Sequence, residues 1–357
     1  MVSRILKRWF LSGKIQIFGL PPYYRISQLL SYFFHCILKS ETDFCKSEGT
    51  ARNLIIEGMY RNEIRDFPVR VVVVKSLKIT SLLILLASAV LIRHMSCSDI
   101  RTVESDEDWS FVLFGDVRQG FGVYGKLCLF MSGLKPTPSF SICLGDIMGT
   151  AGNEIEWVNF WHHSKPVTDI MPMYMVRGNH EGNDEACNRI YKEQNNMVSD
   201  TFYFTFTHAN AFFIILDTYI RNEENKIGTE QFAWLIQQLD SASQDTLIDH
   251  IFISMHHPVF PRGKYQDCPM KNGNAVHSLF LQHPKIRCVF VSHDHLYNKF
   301  TKDGILYITS GGAGAPLYHG YGGDFYHFLK ISMYTETGRI HVKTIGIFNK
   351  VLEEFYL

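Results

Sequence analysis

No two cysteines in this 357-residue chain are spaced C-x-x-C, so its eight cysteines form neither a zinc ribbon nor a small disulfide framework. Net charge is missing too. Thirty-five Lys and Arg balance 35 Asp and Glu, which leaves no overall electrostatic footprint for nucleic acid or an anionic surface. The apolar run 79–92 is 14 residues long, short of the roughly 20 that span a bilayer comfortably. What is present is ordinary for a globular protein: 46% hydrophobic and 20% charged residues. The length suits one large or two ordinary domains with a full core. Cys128, Cys143 and Cys288 fall in apolar segments and read as inert core thiols. Cys187 and Cys268 fall in polar stretches, where an oxidising compartment would allow them to form a disulfide.

Residues 1–74 are poorly defined, because Pro21-Pro22, Cys36, Cys45 and mixed charges interrupt every periodicity. Residues 75–97 are different. Lys75 and Lys78 precede the apolar run, and Ala87-Ser88-Ala89 lie inside it, as in a signal-peptide core. An export signal belongs at an N-terminus, so one reading starts the natural protein near 71–74. Cys97 faintly resembles a lipoprotein cleavage site, which Arg93 and His94 spoil. Export or membrane anchoring through 79–92 is the expectation, and a buried helix is the alternative. An acidic linker, 98–108, leads into the organised domain, 109–357.

In that domain, strands are predicted at 110–114, 140–144 and 173–176, with helices at 123–134 and 154–163 between them. A hairpin over 201–206 and 211–216 turns at His208-Ala209-Asn210. A helix follows from Gly228-Thr229 to about Leu239, with Thr229 as its N-cap. Further strands fit 250–254, 288–291 and 305–309, and 326–334 with 339–347 form a hairpin around Glu336-Thr337-Gly338. Helices between early strands and hairpins later imply an α/β protein of two packed mixed sheets with outer helices.

Five islands of metal-ligand residues punctuate these strands: Phe114-Gly115-Asp116, Leu144-Gly145-Asp146, Gly178-Asn179-His180-Glu181, Met255-His256-His257 and Ser292-His293-Asp294-His295. Each Gly-Asp alone is a turn or a helix cap; two in succession at strand ends deliver carboxylates over a sheet edge. Asn179 offers a neutral oxygen and His180 an acid or donor. Side chains alternate along a strand, so His256 faces the cleft as a ligand while His257 packs away from it. His293 and His295 can reach adjacent metals from one turn. Asp217 reads as a strand-end cap rather than a ligand.

The ordered motifs Gly-Asp, Gly-Asp, Gly-Asn-His-Glu, His-His-Pro and His-x-His resemble the calcineurin-like metallophosphoesterase family, nearest its purple-acid-phosphatase-like and bacterial exported branches. Thr229-Glu230-Gln231 with Trp234-Leu235, and Ser310-Gly311-Gly312-Ala313-Gly314-Ala315-Pro316, add family-like spacing. The resemblance implies a four-layer α/β/β/α sandwich with two divalent metal ions, Mn, Zn or Fe. It implies that Asp146 bridges both ions, that Asp116 and His295 complete one site, and that Asn179, His256 and His293 complete the other. A bridging water would attack phosphorus in line, with His180 as proton donor or charge stabiliser.

Two departures stand out. Many members read Asp-x-His at the first motif, where this chain has Asp116-Val117-Arg118. A guanidinium is no metal ligand, so Arg118 either pairs with the phosphate or forms a salt bridge at the rim, and the first metal is short of a ligand. Gly149 stands where some members carry an Asp that orients the catalytic His, or an iron-ligating Tyr. Without that Tyr, a purple Fe(III) centre is not expected. The expected function is metal-dependent phosphoester hydrolysis on a phosphorylated small molecule or lipid headgroup. Tyr318, His319, Tyr321, Tyr326, Arg262, Lys264 and Tyr265 are candidates to meet the leaving group, or else solvated loop. The rival is a non-catalytic metal-binding or interaction module on the same scaffold. Oligomeric state is not legible.

Overall fold

The computed structural model describes residues 15–18, 53–61, 66–74 and 107–357, and the chain divides into two compact units, Met1–Thr102 and Val103–Leu357. The apolar segment 79–92 and Cys36, Cys45 and Cys97 lie outside the described residues. Among the described residues no helix is long and apolar enough to cross a membrane. In the first unit, strands β1 (Ile15–Phe18), β2 (Asn53–Arg61) and β3 (Asp66–Val74) pair antiparallel in the order β1-β3-β2, with 71–74 closing β3.

The second unit carries two six-stranded mixed sheets. One contains β4 (Trp109–Phe114), β5 (Phe140–Cys143), β6 (Met173–Met175), β13 (His327–Tyr334), β14 (Arg339–Gly346) and β15 (Lys350–Tyr356), in the order β15-β14-β13-β4-β5-β6. The other contains β7 (Phe204–His208), β8 (Ala211–Ile215), β9 (His250–Ser254), β10 (Ile286–Val291), β11 (Tyr297–Lys302) and β12 (Ile305–Ser310), in the order β11-β12-β10-β9-β8-β7. Strands β4, β5 and β6 run parallel, as do β8, β9, β10 and β12. Hairpin strands flank both parallel sets.

Period-two alternation sorts each strand between two cores. Phe111 and Leu113 join Phe213, Phe252 and Phe290 in the layer between the sheets. Their neighbours Val112 and Phe114 face helices α1 (Phe121–Ser132) and α2 (Glu154–Thr168), packing with Tyr124, Leu127, Trp157 and Phe160. On the far side, Ile251 and Ile253 pack with Leu235 and Leu239 of α4 (Thr229–Gln244) and with Val276 and Phe280 of α5 (Gly273–Phe280). Helix α3 (Glu185–Gln194) adds Ile190 and Tyr191 to the α1–α2 side. The result is the four-layer α/β/β/α sandwich.

Several local expectations shift. Helix α2 continues past His163 through Pro166, held down by buried Val167. Thr229 is not the N-cap of α4: Gly228 takes that extended position, and the Thr229 N–H donates instead to the Glu223 carboxylate at 3.3 Å. Cys187 lies not in a loop but in the first turn of α3, which Asp184 caps by accepting from its N–H at 2.8 Å. It is buried, Cys268 is exposed, and both are free thiols, so no disulfide joins them. Burial pushes the Cys128 thiol up to about 12 and raises Cys143 and Cys288 as well, as inert core thiols require. Glu107 and Asp108, at the end of the acidic stretch, are tied to β13. Glu107 pairs with Lys330 at 2.6 Å, and the Asp108 N–H donates to the Met333 carbonyl at 2.9 Å.

Phe213 sits at the middle of the inter-sheet layer, with ring centroids of Phe111, Phe140, Phe206 and Phe252 at 5.1, 5.1, 4.8 and 5.3 Å. Phe213→Ala is expected to cost about 3–5 kcal/mol of stability. An unfolding midpoint in denaturant unchanged from wild type would show that this layer is not the core.

Candidate metal centre

All five islands leave the C-terminal ends of parallel strands, the edge at which α/β sheets place ligands. Asp116 follows β4, Asp146 follows β5, Asn179 and His180 begin a 3-10 turn after β6, His256 follows β9, and His293 and His295 follow β10. Their backbones are bent to suit. Asp116, Arg118, Asp146 and His293 all have positive φ, at 59°, 45°, 53° and 70°. Each such non-glycine residue costs on the order of 1–2 kcal/mol. Gly145 (φ 92°) and Gly178 approach so closely that a Cβ on Gly145 would lie 2.5 Å from the Gly178 nitrogen.

The ligand atoms converge in two sets that share one carboxylate. Asp146, His256 and His293 form one, and Asp116, Asp146 and His295 the other, with the atoms of each set within 4.8 Å of one another. In the first set the His256 Nδ1–H donates to the Leu144 carbonyl at 2.9 Å, which leaves a lone pair on Nε2. That lone pair faces Asn179 Oδ1 at 3.1 Å, Asp146 Oδ1 at 3.3 Å and His293 Nδ1 at 3.2 Å. At most one of these contacts can be bridged by a proton, whereas a cation satisfies them all. In the second set the His295 Nδ1–H donates to the Pro316 carbonyl at 2.8 Å, and Nε2 faces Asp116 Oδ1 at 3.5 Å. That carboxylate oxygen is buried and has no hydrogen-bond partner. The other oxygen of Asp116 accepts from the Ser292 hydroxyl and, at 3.0 Å, from the His293 N–H. Each set therefore has the donor chemistry to hold a metal ion.

Electrostatics agree. Burial holds the His256, His293 and His295 imidazoles neutral, at about 3, 2 and 4. Burial also lifts Asp146 to about 6, and burial with the neighbouring Asp146 charge raises Asp116. A resident cation would reverse the penalty on both carboxylates.

Carboxylates outside the two converging sets fix these loops. Glu181, inside the third island but given no role by sequence reasoning, accepts from the N–H groups of Gly178, Ile147 and Asp146 at 2.7, 2.7 and 3.0 Å. Burial and the Asp146 charge raise it to about 7, against those hydrogen bonds. Glu156, unnoticed in the sequence, accepts from the Gly149 N–H at 2.6 Å and from Gln119 at 3.1 Å. The Gly149 carbonyl in turn accepts from His180 Nδ1 at 3.0 Å. Main chain thus supplies the partner that a side chain would have provided, and a Cβ at 149 would lie 2.6 Å from Gln119 Nε2. The Gly-rich turn after β12 lashes the first island, with the Ala313 and Ala315 N–H groups donating to the Gly115 and Asp116 carbonyls at 2.9 and 2.8 Å.

His257 turns away and hydrogen-bonds Thr218 at 2.8 Å. Asp217 is buried against Arg177, at 2.5 Å. Arg118 lies close enough for its charge to favour ionised Asp116 and Asp146. Its guanidinium makes no hydrogen bond or ion pair with another described residue. Of the cleft residues, Tyr265 stacks on His293 and Tyr318 on His295. His319 is exposed and pairs with Asp324 at 2.7 Å, while Arg262 lies over the Phe300 ring at 4.0 Å.

The sequence profile of the calcineurin-like phosphoesterases matches residues 109–297, more than half the chain and the span that carries all five islands. The chain belongs to the calcineurin-like phosphoesterase family. Purple acid phosphatase 23 of Arabidopsis thaliana is 24% identical over 201 residues, 51% of this chain and 43% of that protein. The chain therefore spans less than half the length of this curated relative. Among solved structures, a purple acid phosphatase from yellow lupin (Lupinus luteus) seeds is 14% identical with a TM-score of 0.59, covering 70% of this chain and 53% of its own. A dimetal phosphatase from Danio rerio is 18% identical with a TM-score of 0.55, covering 70% and 99%. GAP50, the anchor in the inner membrane complex of Plasmodium, is 16% identical with a TM-score of 0.54, covering 70% and 88%. At these identities the three share the fold.

Metal binding requires ionised carboxylates and neutral imidazoles. Affinity for Mn or Zn is therefore expected to fall as pH drops through about 6, the value to which Asp146 is raised. The fall should be roughly tenfold per pH unit for each carboxylate that must ionise. The imidazoles, already neutral, contribute none of it. Histidine NMR of metal-free protein in which His256, His293 or His295 titrates near the ordinary 6.5 would overturn this.

Proposed function

We propose that this chain hydrolyses phosphoesters at a dinuclear metal centre. The carrying observation is the pair of ligand sets that share Asp146, each with lone pairs converging on a point no proton can satisfy. Asp116, Asp146 and His295 would hold one ion, and Asp146, Asn179, His256 and His293 the other. Two divalent ions there would supply Lewis-acid charge and ready ionisation of water beside phosphorus.

The chain's own groups do the rest. His180 is held through Nδ1 by the Gly149 carbonyl, and its Nε2 lies 3.9 Å from Asp146 Oδ2. With Nδ1 committed to that carbonyl, Nε2 is the nitrogen left to meet the departing oxygen as proton or hydrogen-bond donor. Arg118, whose guanidinium has no hydrogen bond or ion pair with another described residue, would offer two parallel N–H groups to the non-bridging phosphoryl oxygens. The non-catalytic alternative rests on Arg118 and Gly149. The main-chain partner of His180 and the Arg118 charge beside Asp116 and Asp146 weigh against it.

Turnover of chromogenic phosphomonoesters and diesters by Mn- or Zn-loaded protein tests the proposal; bound metal without hydrolysis of any ester would leave the scaffold reading. Asp146→Asn is expected to release metal and to cut turnover on the order of a thousandfold. Metal analysis and rates at wild-type levels would remove the bridging role. Arg118→Ala should instead keep normal metal content and raise KM, or lower kcat/KM, by roughly ten- to hundredfold. Unchanged kinetics in that variant would return Arg118 to the cleft rim.

A further inference from the structure

Two tyrosines lie on two histidines of the candidate metal centre. The Tyr265 ring stacks on His293 at 4.4 Å and 29°, and the Tyr318 ring stacks on His295 at 4.3 Å and 16°. The Lys264 ammonium lies 4.5 Å from the Tyr318 centroid and 5.8 Å from that of Tyr265. It is exposed and forms no salt bridge with a described residue, and the buried Asp294 carboxylate feels its charge. Only the Tyr318 ring, stacked on His295, stands between this ammonium and a candidate metal ligand.

The backbone beneath this lysine is rigidly placed. Asp294, between the two histidines of the fifth island, is buried and accepts from the Gly263 and Tyr265 N–H groups at 3.1 and 3.2 Å. Contact is so close that a Cβ on Gly263 would lie 2.6 Å from the Asp294 carboxyl carbon. On the other side, the Tyr318 N–H donates to the His295 carbonyl at 3.0 Å. Both tyrosines, and the lysine above them, are therefore indexed to the ligand histidines and not to a free loop.

Resting on the hydrolase reading above, we propose that Lys264 binds a second phosphoryl group on the leaving portion of the substrate, so that the preferred substrates carry at least two phosphoryl groups. Two cations of different character, neither salt-bridged among the described residues, then divide the work. The planar fork of Arg118 suits the oxygens of the phosphoryl group being transferred, and the compact, three-donor ammonium of Lys264 suits a neighbouring phosphate as a point charge. Tyr318, covered by His295 on its ring, holds the ammonium over an aromatic surface where a cation is favoured. A simple monoester would leave that ammonium to water.

The test uses the full chain loaded with Mn, titrated calorimetrically with inorganic phosphate and with methylenebisphosphonate, which carries two phosphoryl-like groups and is not hydrolysed. Wild type is expected to prefer the bisphosphonate. Lys264→Ala should weaken bisphosphonate binding roughly tenfold while phosphate binding stays within about twofold, and Lys264→Arg should recover most of the loss. Equal effects on both ligands, no effect on either, no preference in wild type, or binding of neither ligand would each overturn the proposal. Because the readout is binding, it separates from turnover. A preference that depends on Lys264 in a protein that hydrolyses no ester would refute the hydrolase reading alone, and hydrolysis without the preference would refute the lysine's role alone.

Discussion

Lone pairs facing one another inside the protein are the constraint on which the rest depends. His256 Nε2 meets three groups at 3.1 to 3.3 Å, and His295 Nε2 meets an orphaned carboxylate oxygen at 3.5 Å. Buried acceptors without donors are costly. Two neighbouring buried carboxylates add repulsion, seen in the raising of Asp116 by Asp146. Such a cluster persists only if the surrounding structure enforces it, and it makes sense only if positive charge completes it. Four site residues in the left-handed backbone region add to what the fold must hold in place.

The aromatic layer between the sheets supplies that rigidity. Phe111, Phe140, Phe213 and Phe252 interlock across it, fixing two sheets whose parallel strands end at the same rim. The finer positioning falls to acidic residues that bind backbone. Glu181 ties the second island to the third, Glu156 holds the Gly149 turn, and Asp294 fixes the 263–265 loop against the fifth island. Each gathers several main-chain N–H groups, which a carboxylate satisfies better than any neutral side chain. Ligands and staples thus alternate around the cleft, and the ligands need not carry the mechanical load themselves.

Much of the fold was legible because strand alternation is strong where both faces are buried. Strand β9 matches its predicted span, and β4, β5, β12 and the β13–β14 hairpin differ from theirs by a residue at an end. Strands β11 and β15 were not legible. Their sequences, Tyr-Asn-Lys-Phe-Thr-Lys and Lys-Val-Leu-Glu-Glu-Phe-Tyr, sit at sheet edges with one face in water, which blurs the pattern. Helix α3 was hidden too, because it is strongly polar and buries only Cys187, Ile190 and Tyr191. Thr229 looked like a cap because a hydroxyl before an amphipathic run usually is one. Only the return of Glu223 from a loop six residues earlier moved that role.

By itself the sequence determined the residue types at each strand exit, and through their order the family and the α/β/β/α layering, since side-chain chemistry and hydrophobic period are local properties. Tertiary structure decided everything that depends on partners distant in the chain. It showed that His256 Nε2 carries its lone pair inward, because a carbonyl 112 residues away takes the proton on Nδ1. It supplied the Gly149 carbonyl in place of a missing side chain, brought the Arg118 charge near Asp116 and Asp146, and laid Tyr265 and Tyr318 on two histidines. Tautomer, pairing and stacking are set by what comes within about 3–5 Å in space. Spacing along the chain does not encode that.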